Sequence, residues 1–111
     1  MKIALASPPI PKNISEGLKT FKAMVAEAAG RHAEIICFPE SYLQGDLGIG
    51  YPEADRTVES LEVALNEICR IALEYKIAII ISMDGYLDSK LVNLANVISA
   101  EGKLLGYQTQ N

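Results

Sequence analysis

Histidine and cysteine are scarce in this sequence, which has one histidine and two cysteines among 111 residues. Cys37 and Cys69 lie far apart without C-x-x-C spacing, and His32 follows a helical pattern rather than either cysteine. Zinc and dithiol redox sites need more ligands or closer spacing, so we predict no metal site and no cofactor. Both cysteines lie in apolar segments and are interpreted as small core residues, and His32 as a helix-end residue.

Long apolar runs and clusters of basic residues are also missing. The longest apolar stretch, residues 77–83, is far too short to cross a bilayer. The formal net charge is −4, and no basic stripe offers a surface for nucleic acid. The apolar N-terminal segment is short and is followed by three prolines, so it is interpreted as a strand rather than a signal peptide. We therefore expect a cytoplasmic protein that binds neither membrane nor nucleic acid.

The hydrophobic half of the sequence predicts a single α/β domain. Residues 2–6, 35–38 and 77–83 are apolar without alternation, as in strands that are covered on both faces. Between them, apolar residues recur at spacings of three and four, which predicts helices over residues 13–30 and 57–75. Asn13 offers an N-cap for the first helix, with Glu16 placed as in a capping box. Right-handed crossovers would make these three strands parallel.

The last third of the sequence predicts an antiparallel addition to this sheet. Residues 91–99 and 104–108 are strand-like and are separated by a turn that contains Gly102, which predicts a β-hairpin. A long segment without a helical or strand pattern, residues 41–56, precedes the second helix. Segments of this length inside a compact domain are often functional.

A single carboxylate, Glu40, stands just past the second predicted strand in the sequence "FPES". Ligands of open α/β sheets bind outside the carboxyl ends of the strands, and Pro39 restricts the backbone there. Two interpretations follow from the pattern. Glu40 is either a preorganised general base or acid with a raised pKa, or a solvated residue at a strand end that binds a loop amide.

The order of several segments resembles the nitrilase superfamily, the carbon-nitrogen hydrolases. The "FPES" segment is similar to the glutamate motif of that family. The resemblance covers nearly the whole chain and implies an α/β fold that is half of a four-layer α-β-β-α sandwich, with residues 1–111 as the N-terminal part of one domain. The other matching segments, in order, are "KIALA", "AEIICFPES", the Gly-Tyr-Pro at residues 50–52, "EYKIAIIIS" and "LVNLANVISAEGKLLGYQ".

The resemblance also implies a chemistry, hydrolysis of an amide or nitrile by a Glu-Lys-Cys triad. The thiolate attacks the substrate carbon, the glutamate acts as general base, and the lysine stabilises the developing negative charge. Glu40 matches the family glutamate and takes that role. Tyr42 and Tyr51 are expected to line the pocket for a small amide or nitrile substrate.

Two members of the triad are not found at matching positions. The family lysine follows the hairpin in a pattern like Gly-Lys-x-x-Gly-x-Tyr-Arg-Lys, and counting from Gly102 puts Gln110 there. Neither Cys37 nor Cys69 is placed to act as the nucleophile. We therefore predict that the isolated chain is inactive. Half a sandwich would also leave buried strands uncovered, which predicts a homo-oligomer, aggregation or partial folding.

Two other classes of protein fit parts of the pattern. A non-catalytic α/β binding or interaction module would explain Gln110 and the missing nucleophile. A small flavodoxin-like or receiver-like domain has a similar length and element order. The second is disfavoured because Ser7-Pro8-Pro9 replaces a glycine-rich phosphate loop, and because the chain closes on a hairpin.

Overall fold

The fold is known from a computed structural model that describes residues 1–39 and 53–110, with the backbone only for residues 53 and 110. Two helices and five strands alternate in the order β-α-β-α-β-β-β, with one short 3₁₀ helix before the second α-helix. Their bounds are β1 Ile3–Leu5, α1 Ile14–Gly30, β2 Ile35–Cys37, the 3₁₀ helix Glu53–Arg56, α2 Val58–Tyr75, β3 Ala78–Leu87, β4 Lys90–Ile98 and β5 Leu104–Gln110.

The five strands form one sheet in the order β1-β2-β3-β4-β5. The pairs β1–β2 and β2–β3 are parallel, and β3–β4 and β4–β5 are antiparallel. This arrangement confirms the predicted parallel strands with helical crossovers and the C-terminal hairpin. The β4–β5 turn contains Gly102 at φ 78°, in the left-handed region that glycine tolerates.

The third strand is longer than the sequence pattern predicts. It continues to Leu87 and forms a second hairpin with β4. The turn of that hairpin contains Asp88 and Ser89, with φ of 50° and 66°, as in the tight turns that match strand twist. The apolar pattern stops at Met83 because Asp84 follows, and a buried charge inside a strand needs a partner from elsewhere in the fold.

Side-chain caps fix where both helices begin. Asn13 Oδ1 accepts a hydrogen bond from the Glu16 N–H at 2.8 Å, as predicted. Glu16 itself accepts from the Lys12 N–H rather than from the N–H of Asn13. The α2 helix starts after Thr57, whose hydroxyl accepts from the Ser60 N–H. Past the end of α1, His32 is exposed at φ 67°, which agrees with its predicted helix-end position.

Both helices pack on one face of the sheet. The buried strand residues that face the helices include Ile36, Ile79, Ile81 and Ile98. Just after β2, the ring centroid of Phe38 is 4.8 Å from that of Phe21 on α1. The described elements therefore form one helix layer on one sheet, the α-β half of the predicted sandwich. The opposite face, here called the open face, is not covered by the helices. At one end of the sheet its side chains are partly buried or exposed: Ile3, Leu5, Ile35, Cys37, Ala78, Ile80, Ala95 and Val97. Further along β3, Ser82 and Asp84 on the same face are buried.

Candidate active site

The carboxyl end of β2 is where the sequence predicts the site. Pairing between β2 and β3 continues past Cys37, because the Phe38 N–H donates to the Ile80 carbonyl at 2.9 Å. Glu40 follows two residues later and lies outside the described residues. Tyr42 and Tyr51 lie outside them as well, so the roles of these three side chains remain predictions.

Beyond this point β3 runs on past β2 and carries a buried carboxylate. The Asp84 side chain is fully buried, and its Oδ2 accepts from Arg56 Nε at 2.8 Å; the Arg56 side chain is 12% exposed. On the other side, Asn93 Nδ2 donates to Asp84 Oδ1 at 3.3 Å. The Tyr86 hydroxyl donates to the Arg56 carbonyl at 2.7 Å. These four residues form what we call the Asp84 cluster.

The Asp84 cluster holds the far end of the segment that begins at Glu40. Before that segment, the backbone of Phe38 is paired with Ile80 of β3. After it, Arg56 is paired with Asp84, also on β3. These two positions on β3 are four residues apart, about 13 Å along a strand. The described residues on either side of the segment, Phe38 and Arg56, are thus both anchored to β3.

The position predicted for the family lysine lies in the same part of the sheet. Asp84 is paired with Asn93, and Asn93 with Gln110, so the three positions form one row across β3, β4 and β5. Since β5 runs parallel to β2, residue 110 lies at the end of the sheet where β2 also ends. The backbone thus places position 110 about two strand spacings, roughly 10 Å, from Asp84.

The two cysteines lie on different elements, Cys37 at the last position of β2 and Cys69 on α2. Cys37 is on the open face of β2 and is only partly buried. It lies outside the core cluster, contrary to the prediction that it is a core residue. Cys69 is on α2 and packs against that cluster. Burial raises the pKa of the Cys69 thiol above its ordinary value, which leaves less of the nucleophilic thiolate at neutral pH. That neither thiol acts as the nucleophile stays a prediction.

The sequence pattern does not predict the Asp84 cluster. Asp84 follows seven apolar or small residues, and Arg56 falls in a segment that was interpreted as irregular. A carboxylate directly after a buried strand pattern indicates that Asp84 needs a partner. That partner, Arg56, is 28 positions away in the sequence, so local patterns do not identify it. Within residues 1–39 and 53–110, no three histidine, cysteine or acidic side chains are grouped to hold a metal ion. No helix in the same ranges is long and apolar enough to span a membrane.

The same fold occurs in solved amidases. An amidase from Nesterenkonia sp. aligns with a TM-score of 0.85 and 21% identity, over 99% of this chain and 42% of that chain. A variant of the amidase from Nesterenkonia sp. AN1, solved in complex with butyramide, aligns with a TM-score of 0.80 and 22% identity, over 99% of this chain and 42% of that one. This chain therefore spans less than half the length of these solved amidases. At such identities the likeness shows the fold alone.

Sequence comparison identifies the family. No curated protein matches the sequence. The model of the family described as carbon-nitrogen hydrolase matches residues 2–111, which is nearly the whole chain. This match agrees with the sheet topology, with the helix layer on one face and with the likeness to solved amidases. The chain belongs to the carbon-nitrogen hydrolase family.

Proposed function

We propose that this chain supplies the general-base half of the active site of a hydrolase that cleaves the carbon–nitrogen bond of an amide or nitrile. The observation that carries the proposal is the position of Glu40, two residues past the paired end of β2. Position 110, at the end of β5, lies toward the same end of the sheet, three strands away from β2. The proposal treats residues 1–111 as the N-terminal part of one domain.

In this proposal the Glu40 carboxylate takes the proton of a cysteine thiol, and the thiolate attacks the amide carbon. Glu40 returns this proton to the leaving nitrogen as the carbon–nitrogen bond breaks, so that ammonia leaves and a thioester remains. Glu40 then takes a proton from water, whose oxygen attacks the thioester carbon, and passes that proton to the departing thiolate, which releases the acid and restores the thiol. The thiol comes from residues outside these 111. The anchoring of Phe38 and Arg56 to β3 supports the proposal, because these residues flank the segment that contains Glu40 and a general base must be held in one geometry.

Small aliphatic amides are the substrates we propose. The solved amidase in complex with butyramide has this fold, as does a variant whose active-site cysteine has added acrylamide. Tyr42 and Tyr51 follow Glu40 in the sequence and are proposed to line the pocket. From composition and charge we also propose a cytoplasmic location.

A non-catalytic binding module with this fold is the second candidate. Gln110 at the lysine position favours it, because a neutral amide cannot supply the positive charge that stabilises an oxyanion. The nucleotide sequence that follows the codon for Asn111 separates the two candidates. A continuing frame, or a frame restored by one shift, that encodes a strand ending in cysteine supports the hydrolase. A stop codon followed by unrelated sequence supports the binding module.

An activity assay of the 111-residue chain tests the proposal that the nucleophilic thiol comes from outside these residues. We expect no ammonia from acetamide, butyramide or acrylamide, because the chain lacks a suitable nucleophile. Ammonia release by the purified chain that Glu40→Gln abolishes would mean that Cys37 or Cys69 acts as nucleophile, which contradicts the proposal. The Glu101→Gln variant, with a change in an exposed turn, is the matched control.

A further inference from the structure

The Asn93 side chain in the Asp84 cluster has a buried atom without a hydrogen-bond partner. Its amide oxygen, Oδ1, is shielded from solvent, and no donor among residues 1–39 and 53–110 binds it. Buried acceptors in proteins are nearly always paired, because an unpaired one loses its bonds to water and gains nothing in return. The buried oxygen therefore indicates that a donor belongs next to Asn93.

Asp84 fixes which way the Asn93 amide faces. A carboxylate that is ion-paired only accepts hydrogen bonds, so the amide nitrogen and not the amide oxygen must face it. Asn93 Nδ2 donates to Asp84 Oδ1 at 3.3 Å, while Arg56 Nε donates to the other carboxylate oxygen, Oδ2. Asn93 Oδ1 is consequently on the side of the amide that faces away from Asp84.

The next position across the sheet on that side is residue 110. The strand β4 lies between β3 and β5, and Asn93 is directly opposite both Asp84 and Gln110. Directly opposite residues of antiparallel strands share a face, with Cβ atoms about 5 Å apart. That separation suits a hydrogen bond between the side chains of asparagine and glutamine. Glutamine and lysine both carry an N–H donor, so either could bind an oxygen there.

We propose that Asn93 is a positioning residue for position 110, with its Oδ1 accepting a hydrogen bond from the Gln110 side-chain amide. A lysine ammonium at the same position would bind the same oxygen. The inference rests on the proposed function, because position 110 matches the lysine of the triad. Arg56 holds Asp84, Asp84 orients the Asn93 amide, and Asn93 in turn selects a donor at position 110. Gln110 thus keeps the donor of the family lysine, although it lacks the charge.

Other donors on this face are placed less directly. Gln108 is opposite Ala95 and is therefore diagonal to Asn93, a separation of roughly 7–8 Å, and its side chain is exposed. Ser82 on β3 is also opposite Ala95 and diagonal to Asn93, on the side of Asp84. A group from outside the chain could reach Asn93 Oδ1 only if the side chains that bury it moved. Position 110 is thus the most direct source of a donor.

Urea unfolding of the 111-residue chain, followed by circular dichroism, tests this hydrogen bond with matched substitutions. Methionine has nearly the length of glutamine but no donor, so Gln110→Met should lower the folding equilibrium constant about 10-fold. Gln108→Met is the control on the same strand and face, and should change that constant less than about twofold. Lysine restores a donor, so Gln110→Lys should remain within about twofold of the wild-type chain.

A double-mutant cycle assigns the effect to Asn93. In an Asn93→Leu background the acceptor is gone, so Gln110→Met should have no larger effect than Gln108→Met. The cost of removing the Asp84 partner is common to all variants in that background and cancels. A 10-fold loss with Gln110→Met that persists in the Asn93→Leu background would overturn the proposal. Equal effects of Gln110→Met and Gln108→Met in the wild-type background would also overturn it.

Nuclear magnetic resonance of the isotope-labelled wild-type chain gives a direct signature and does not require the Asn93→Leu variant to fold. We expect a scalar coupling across the hydrogen bond between Gln110 Nε2 and Asn93 Cγ, and none from Gln108. Absence of the Gln110 coupling, or a coupling from Gln108 in its place, would overturn the proposal. None of these measurements involves catalysis, so they can fail while Glu40 remains the proposed base. A stop codon after Asn111 would refute the hydrolase without removing the hydrogen bond.

Discussion

Among single side chains, Asp84 and Arg56 show how a charge is accommodated inside a small α/β core. The Asp84 carboxylate is fully buried and hydrogen-bonded to both Arg56 and Asn93. Buried ion pairs gain little net stability over apolar packing, but loss of one partner leaves a buried charge uncompensated. The ion pairs of Arg70 with Glu67 and Glu74 differ because they are exposed on α2. The two kinds of pair should therefore respond very differently to substitution.

We predict that Asp84→Asn lowers the free energy of unfolding by about 3 kcal/mol or more. The reason is that Arg56 would keep its charge in a mostly buried site. The matched variant Glu67→Gln removes an exposed partner of Arg70 and should cost less than about 1 kcal/mol. Urea unfolding followed by circular dichroism, at one protein concentration, measures both. Equal losses for the two variants would show that the Asp84 cluster is not a structural anchor.

We also predict that Cys69 reacts as a poorly ionised thiol. Burial raises its pKa in the folded chain, so the folded state favours the protonated thiol and its thiolate forms only at higher pH. In a Cys37→Ser background, alkylation by iodoacetamide should rise with pH at a midpoint above the ordinary value of about 8.5. In urea the midpoint should return to that value. A folded-state midpoint at or below the unfolded one would contradict the assignment.

At the level of helices and strands, the β4–β5 turn is fixed by its contact with α2. Gly102 has φ 78°, and a Cβ atom built there would lie 2.8 Å from the Cys69 carbonyl oxygen and 3.1 Å from Leu73 Cβ. A side chain at this position would therefore be strained twice, by its own backbone conformation and by contact with the helix. The turn thus packs the hairpin against the helix layer.

We expect Gly102→Ala to destabilise the chain by more than about 1 kcal/mol, since alanine does not fit a position with positive φ. Gly30→Ala is the matched control: no atom lies within 4 Å of a Cβ atom built there. That substitution should be neutral or stabilising, because alanine is the better helix former. Thermal unfolding of the two variants distinguishes them. Similar melting temperatures for both would contradict the strain argument.

Local patterns predict the elements of this fold well and their long-range partners poorly. The two helices, the first two strands and the hairpin at Gly102 follow from capping residues, apolar periodicity and turn residues, which all act over a few positions. The extension of β3 to Leu87 does not, because Asp84 interrupts the apolar pattern and its partner Arg56 is 28 positions away. The same is true of the candidate site. The FPES motif identifies Glu40 in the sequence, whereas the Asp84 cluster is apparent only in the structure.

The molecule as a whole is one helix layer on one sheet, with a second sheet face that the described elements leave open. This arrangement agrees with solved amidases that share the fold over less than half of their own length. The proposed function explains both the uncovered sheet face and the absence of two triad members from this sequence. The cover and the two triad members would both be supplied by residues that complete the sandwich.

Ammonia release by the completed protein tests this account most directly. The chain is extended by the residues that its own gene encodes after Asn111, and hydrolysis of butyramide is compared with that of the 111-residue chain. We predict release only by the extended protein, reduced about 100- to 10,000-fold by Glu40→Gln and unchanged by Glu101→Gln. Release by the 111-residue chain, or an extended Glu40→Gln variant with full activity, would contradict the assignment of Glu40 as the general base.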